Sequence, residues 1–359
     1  MEQATELIQK NGESLEKHAV CVALLNNGKT LRKTAQSVKE FEEIFSEAGI
    51  VWINYWAQNL GEDMQRVASE LGFSDALIQS IMKNSISGYE DFDSELALML
   101  PAVSVEGFDV TANPVMIFIK QNIVLTIHSS KIRRFINFTR YADRFFKKMP
   151  KKLSINDKIT LLLIRIIDEN NGRNFDYLRQ IELQGDELSK FMLDPTTKRE
   201  MLGPEIYKMK HALISYLDAM WATIDVINNL RYGDAELITD DEKLLQRMTI
   251  LSADVNTQIG LSEHMTEVLA SGLEVLQSIY NNQLQILNNR LTSVMTYLTI
   301  LGTAVLVPNT LATILSNPAF NLQPKDAGWY IALLVISTVG STYAAWWGVK
   351  RKGLFSAKE

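Results

Sequence analysis

Residues 291–316 read LTSVMTYLTILGTAVLVPNTLATILS, and residues 329–349 read WYIALLVISTVGSTYAAWWGV. The first run has 26 positions and the second 21, with no ionisable Asp, Glu, Lys, Arg or His in either. About 20 apolar residues in a helix cross the ~30 Å hydrocarbon core of a bilayer, so each run is long enough to span it. Two such runs with a short connection predict a transmembrane hairpin rather than a pair of core helices. Arg290 precedes the first run and Lys350, Arg351 and Lys352 follow the second, whereas residues 317–328 between them carry only Lys325 and Asp326. Basic flanks mark the cytoplasmic side. The expectation is a multi-pass protein of the inner or cell membrane, with both termini cytoplasmic and the 317–328 loop outside. Trp329, Tyr330, Trp346 and Trp347 stand at the ends of the second run, where interfacial aromatic belts lie.

The rest of the chain has a different composition. Residues 1–290 hold 40 of the 42 acids and 31 of the 36 bases, a net charge of −9. That balance argues against nucleic-acid binding, which wants clustered Lys and Arg, and is compatible with cations. One cysteine, Cys21, excludes an intrachain disulfide framework and fits a reducing compartment. The first 18 residues are charged throughout and have no apolar core, so no signal peptide is expected.

Working upstream from the first span, apolar residues recur at steps of three and four. They include Val255, Ile259, Leu269, Leu273, Leu276, Tyr280, Leu284, Leu287 and Leu291. No proline interrupts residues 205–307. This periodicity predicts one helix over about 240–316, with Thr239 as its N-cap and acids in its first turn. Gly260, Gly302 and Pro308 are candidate kinks. Such a helix exceeds ~100 Å at about 1.5 Å per residue, which favours several copies wound around an axis. Residues 155–192 and 205–232 read as further antiparallel helices, with a turn at Gly233 and Asp234.

The first third reads as strands: AVCVALLN (19–26), GIVWINYW (49–56), LALMLPAVSV (96–105), PVMIFIK (114–120) and NIVLTIHS (122–129). GEDMQRVASELG (61–72) is helical between the second and third. The domain plan is thus a mixed α/β cytoplasmic domain over 1–150, with KKMPKK (147–152) as a linker, and antiparallel helices over 151–239. The long helix over 240–316 runs into the first span, followed by the loop 317–328, the second span 329–349 and a basic tail 350–359.

No phosphate-binding glycine loop, CxxC or HExxH is present, so no enzyme activity is expected. His18, His128, His211 and His264 lack ligand spacing and read as structural or exposed. In GYEDFDSE, the acids Glu90, Asp91, Asp93 and Glu95 have the chemistry to hold a hard cation if Asp254 approached from the long helix; the other reading is a solvated acidic turn. The first span also carries many hydroxyls, which either pack helices together or line a water-filled path.

GIVWINYW followed by LGFSDALIQSIM, then VMIFIKQNIVLTIH and ILNNRLTSVMTYLTILGTAVLVP, resembles the CorA-type magnesium transporters over nearly the whole chain. The resemblance implies a homopentamer, with five long helices forming a cytoplasmic funnel that continues into a pore through the lipid bilayer. It implies Thr292, Met295, Leu298, Thr299, Thr303, Val307 and Thr310 as pore-facing residues, with Met295, Leu298 and Val307 as apolar constrictions that gate by dewetting. It implies an intersubunit regulatory site for magnesium, using an acid among Glu90, Asp91 and Asp93 together with Asp254. The chain departs from the family at Thr292, which stands where members usually have Asn, and more sharply at the end of the first span. Where members carry Gly-Met-Asn, this sequence has Asn317, Pro318 and Ala319, with Phe320 matching the family's aromatic and Asn321 just beyond.

The expected function is a CorA-like channel for divalent metal cations, magnesium, cobalt or a related ion, with selectivity altered by the missing tripeptide. The alternative is a non-conducting CorA-like scaffold or sensor.

Overall fold

A computed structural model describes residues 18–150, 152–193, 202–233, 235–320 and 323–351. The expectations for the first 17 residues, for Asp234, for Asn321 and for the tail from Lys352 lie outside the described residues. The chain divides into two compact units, 1–271 and 272–359.

The first unit is built on a seven-stranded sheet. Its strands are β1 (Ala19–Leu25), β2 (Thr30–Ala35), β3 (Ala48–Ala57), β4 (Gly88–Phe92), β5 (Glu95–Glu106), β6 (Asp109–Lys120) and β7 (Ile123–Ser129), in the order β2-β1-β3-β7-β6-β5-β4. Only β3 and β7 pair in parallel, with Trp52 opposite Val124 and Trp56 opposite His128; every other pair is antiparallel. The five inner strands are the five apolar runs of the sequence. The two edges, β2 (TLRKTA) and β4 (GYEDF), are not among the expected strands. Both are polar or charged and largely uncovered, as edge strands are when unwanted pairing is avoided. The acidic stretch read as a solvated turn is therefore an edge strand followed by a tight turn, in which Asp93 takes a left-handed backbone (φ 55°).

The helices of the first unit are α1 (Glu42–Glu47), α2 (Leu60–Glu70), α3 (Asp75–Met82), α4 (Arg133–Lys147), α5 (Ile155–Asn171), α6 (Asn174–Leu193) and α7 (Leu202–Tyr232). α2 and α3 cover one sheet face, burying Met64, Val67, Leu77, Ile78 and Ile81 against Cys21, Val51, Ile53, Phe118 and Leu125. α4 was not expected from sequence. It buries Phe135, Phe138, Ala142 and Phe146 at helical spacing, and its Phe138 ring lies 4.7 Å from that of Trp52. The span 155–192, read as one helix, is two: α5 ends at Gly172, and the side chains of Asn170, Asn171 and Asn174 are buried at the break. The Asn170 amide donates to the Pro101 carbonyl (2.9 Å), and the Asn174 carbonyl accepts from the Tyr216 hydroxyl (3.0 Å). These contacts fix a bend that periodicity alone passes over.

α8 (Glu242–Leu315) is one continuous helix of 74 residues, so neither Gly260, Gly302 nor Pro308 ends it. Its cap differs from expectation. The Asp241 carboxylate, not the Thr239 hydroxyl, accepts the Leu244 N–H (3.1 Å). Thr239 instead accepts from the Asp241 N–H (3.0 Å) and donates to Asp157, tying the helix start to α5.

The second unit holds the remainder of α8, two turns of 3₁₀ helix (Pro318–Phe320 and Pro324–Asp326) and α9 (Ala327–Arg351). Both long helices contain stretches apolar enough to cross a membrane, with mean hydropathy of 1.8 and 1.3. Neither stretch is covered by the chain itself: among the described residues of α9 none is buried, and in α8 beyond Gly272 only Thr296 is. Core helices of a soluble domain would be covered, so these faces belong against lipid or against other helices. Lys350 and Arg351 lie over the rings of Trp346 and Trp347, at 4.9 and 5.2 Å, as cations and aromatic rings do at an interface.

Candidate functional site

At about 100° per residue, Thr292, Met295, Thr299, Thr303, Val307 and Thr310 fall on one face of α8 within about 60° of Thr292. Leu298 lies about 120° from the centre of that face on the same count. The hydroxyls of this span follow one rule. Ser293, Thr296, Thr299, Thr303, Thr310, Thr313 and Ser316 each donate to the carbonyl four residues earlier, at 2.6–3.0 Å. Each donor is therefore used internally, and what the side chain presents outward is an oxygen lone pair. Thr292 is the exception, with no such bond. Pro308 has no N–H to give to the Ala304 carbonyl, which adds a further acceptor to this stretch. A helix face of neutral oxygen acceptors and apolar side chains is suited to the waters around a hydrated cation, and it carries no net charge.

At the end of the span the Asn317 N–H donates to the Ile314 carbonyl (3.1 Å), and the Asn317 carbonyl accepts from Phe320 (3.0 Å). Pro318 opens the 3₁₀ turn, a position where its fixed φ and missing N–H cost nothing. Asn317, Pro318 and Ala319 thus stop the helix.

The acidic candidates are dispersed. Glu95 is withdrawn from cation chemistry, because its buried carboxylate pairs with Lys120 (2.6 Å) and accepts the Ser74 N–H (2.9 Å). Glu90 accepts from the Ser80 hydroxyl (2.8 Å) and the Asn84 amide (3.3 Å). Asp91 and Asp93 are exposed. Desolvation raises the Asp91 carboxyl above its ordinary range, with the charges of Asp93 and Glu236 adding to it. Asp254 does not join them. It is exposed on α8 and lines a cavity of about 500 Å³ together with Arg144, Lys148, Arg165 and Arg247. Among the described residues no three His, Cys, Asp or Glu side chains are grouped to hold a metal within one chain.

Cys21 is buried, and desolvation pushes its thiol up to about 12, which keeps it protonated. His128 is a core residue. Its Nδ1 is 2.8 Å from the Ser129 carbonyl, its Nε2 is 3.2 Å from the Asn54 side-chain amide, and Phe135 lies against the ring. Burial lowers its pKa to about 4 from the ordinary 6.5. Between these values the unfolded chain takes up a proton that the folded chain refuses, so stability falls as pH drops through this window. About 2 kcal/mol should be lost between pH 7.5 and pH 5. A melting series over that range should show a slope for the wild type that His128→Gln flattens; equal slopes would remove His128 as the cause.

These observations meet independent comparisons. The family model described as CorA-like Mg2+ transporter protein matches residues 47–351. The cobalt/magnesium transport protein CorA of Methanocaldococcus jannaschii is 23% identical over 253 residues, 70% of this chain and 77% of that protein. The complete structure of the CorA magnesium transporter from the same organism superposes with a TM-score of 0.64 at 20% identity, covering 91% of this chain and 96% of that one. Full-length CmaX superposes at 0.62 and 13% identity, covering 93% of this chain and 98% of that one. The cytoplasmic domain of ZntB from Vibrio parahaemolyticus gives 0.56 at 16% identity, covering 74% of this chain and 99% of that one. The sheet, the long helix and the two apolar C-terminal helices are therefore shared architecture, and the chain belongs to the CorA-like Mg2+ transporter family.

Proposed function

We infer that this protein conducts divalent metal cations across the inner or cell membrane as a homopentamer, with both termini cytoplasmic and a selectivity altered from that of family members carrying Gly-Met-Asn. The observation that carries this reading is the first span. Apart from that of Thr292, its threonine and serine hydroxyl donors are satisfied by the helix itself, so Thr299, Thr303 and Thr310 on that face offer acceptors and no donors. Magnesium sheds its waters reluctantly, and neutral acceptors suit a hydrated divalent ion. Two spans per chain cannot enclose a path, and the uncovered apolar faces of α8 and α9 are what copies of the chain would cover.

At the mouth, Asn317 and Asn321 are the amides that the resemblance places near an incoming ion, and Pro318 opens a 3₁₀ turn after Asn317. In liposomes with a negative interior, the purified pentamer should take up at least one of magnesium, cobalt, nickel and zinc. Asn317→Ala should alter the magnesium-to-cobalt uptake ratio by at least about threefold, or ~0.7 kcal/mol. An unchanged profile would move the filter to Thr292 or Thr303. No uptake of any ion by folded pentamers would leave the second reading, a non-conducting scaffold or sensor, which the replaced tripeptide favours.

The acids Glu90, Asp91 and Asp93 of one copy, with Asp254 of a neighbouring copy, would form a regulatory cation site. The negative charges of Asp93 and Glu236 beside Asp91 support it, since a magnesium ion there would relieve their crowding. Chelation should then loosen the pentamer and raise flux; structure and flux both indifferent to chelator would count against the site.

A further inference from the structure

A cavity of about 720 Å³ opens in the first unit where the β5–β6 hairpin meets the start of α4 and the start of α6. Four cationic side chains line it: Lys131, Arg133, Arg134 and Arg173. None of the four is in an ion pair among the described residues, although this unit is acidic overall and pairs Arg66, Lys120, Arg165 and Lys208. Arg134 is the deepest. Its guanidinium donates to the Asn170 and Val103 carbonyls, which fixes its plane without cancelling its charge. Burial lowers its proton affinity, opposed by Tyr177; the Arg173 charge adds to the depression and the Glu169 charge works against it. Two guanidiniums are thus held near one another with no carboxylate bonded to either.

The start of α4 points the same way. Ile132 at the cap supplies no side-chain bond, and the first turn holds no acid. A helix start attracts anions, since its dipole is positive there and the N–H groups of its first turn have no partner within the helix; at α4 the Arg133 N–H donates to the Lys131 carbonyl (3.1 Å). The opposite wall differs. Ser104 and Thr111 share a hydrogen bond (2.8 Å) across β5 and β6 with Asn113 beside them, and Glu106 and Asp109 line the hairpin end. The cavity is therefore cationic at one end, with hydroxyl and amide groups in the middle and carboxylates at the other.

We propose that this cavity binds a soluble phosphate-bearing solute. Its phosphate would sit among Arg133, Arg134, Arg173 and Lys131, and its neutral, hydroxyl- or amine-bearing remainder would lie toward Ser104, Thr111 and Glu106. A guanidinium fork matches phosphate oxygens in geometry as well as charge. The volume falls in the range of small-molecule sites, about 300–1,000 Å³. The carboxylates at the hairpin disfavour an anion that fills the whole space, so the ligand carries its charge at one end. Ala102 and Ile132 are the aliphatic residues of the cavity lining, too little apolar surface for acyl chains, which favours a dissolved ligand over a lipid. The site does not depend on whether ions cross the membrane.

The test is calorimetric titration of the full chain in phosphatidylcholine nanodiscs, with chelator present, using pyrophosphate and ADP as probes. Saturable binding is expected, tighter for ADP than for pyrophosphate because only ADP has a neutral remainder. The double variant Arg133→Gln/Arg173→Gln, whose side chains are exposed and carry no structural bond, should raise Kd by at least about tenfold. Arg144→Gln, in the other basic cavity, should leave Kd unchanged. Arg134 is left intact because its carbonyl bonds hold the fold. Absence of binding, equal binding by the double variant, or an equal loss in Arg144→Gln would each overturn the proposal. So would loss of pyrophosphate binding on adding phosphatidylglycerol to the discs, which would make the occupant a lipid headgroup.

Discussion

Replacing Trp52 with Ala is expected to lower the unfolding free energy by about 3–5 kcal/mol, the range for deleting a buried aromatic side chain. Trp52 is among the largest fully buried side chains, on central strand β3. Its ring lies 4.7 Å from Phe138, joining the sheet to α4, and its indole N–H donates to the Thr126 hydroxyl (3.1 Å). Thr126 in turn donates to the Asn54 side-chain oxygen (2.7 Å), and His128 reaches the same oxygen. Removing the indole therefore leaves both a cavity and a buried hydroxyl short of one donor, and the second effect adds to the first. Trp52→Phe keeps most of the volume and loses only the bond, so it should cost about 1–3 kcal/mol. Thermal or denaturant melts of the purified protein would show the order wild type, Phe, Ala. Equal losses for both variants would assign the whole effect to the hydrogen bond.

The second large effect is expected in the membrane. Thr303→Lys should cut cation uptake by more than about tenfold, equivalent to ~1.4 kcal/mol of barrier, while the pentamer still forms. A fixed ammonium about 5 Å from a divalent ion repels it by roughly 6–7 kcal/mol at an effective dielectric constant of about 20. Hydration and counter-ions reduce that figure without reversing it. Leu301 lies on the opposite face of α8, about 180° from Thr292. Leu301→Lys should instead impair insertion, since a lysine at the centre of a lipid-facing helix costs about 2.5–3.5 kcal/mol. Any inserted fraction should conduct normally. The contrast between the two lysines tests the face assignment directly. If Leu301→Lys blocked uptake and Thr303→Lys did not, in folded pentamers, the path would lie along the other side of the helix.

Much of the architecture was legible without coordinates. The two spans, the long helix and the five inner strands all depend on hydrophobic patterning along a contiguous stretch, which is a local property. The missed elements share a different cause. β2 and β4 are edge strands whose sequences are polar because one side pairs and the other meets water, so no apolar alternation announces them. α4 carries five Arg or Lys among its fifteen residues, and its buried stripe of Phe135, Phe138, Ala142 and Phe146 is hidden among them.

Residues 291–316 and 329–349 by themselves determined that this chain has two apolar helices fit to span a bilayer, because hydropathy and length act within a single segment. That the sequence contains no Gly-Met-Asn was likewise visible by inspection. Tertiary structure alone decided the parallel pairing of β3 with β7 and the break between α5 and α6, where Asn170 reaches Pro101 on β5. It also decided the capping of α8 by Asp241, with Thr239 turned to Asp157. The cavity where Arg133 and Arg134 meet Arg173 belongs with these. Its basic residues lie about forty positions apart in the chain, and nothing in the spacing of either group points to the other. Each of these features requires partners distant in sequence, and only chain folding brings their charges and hydrogen-bonding groups within reach.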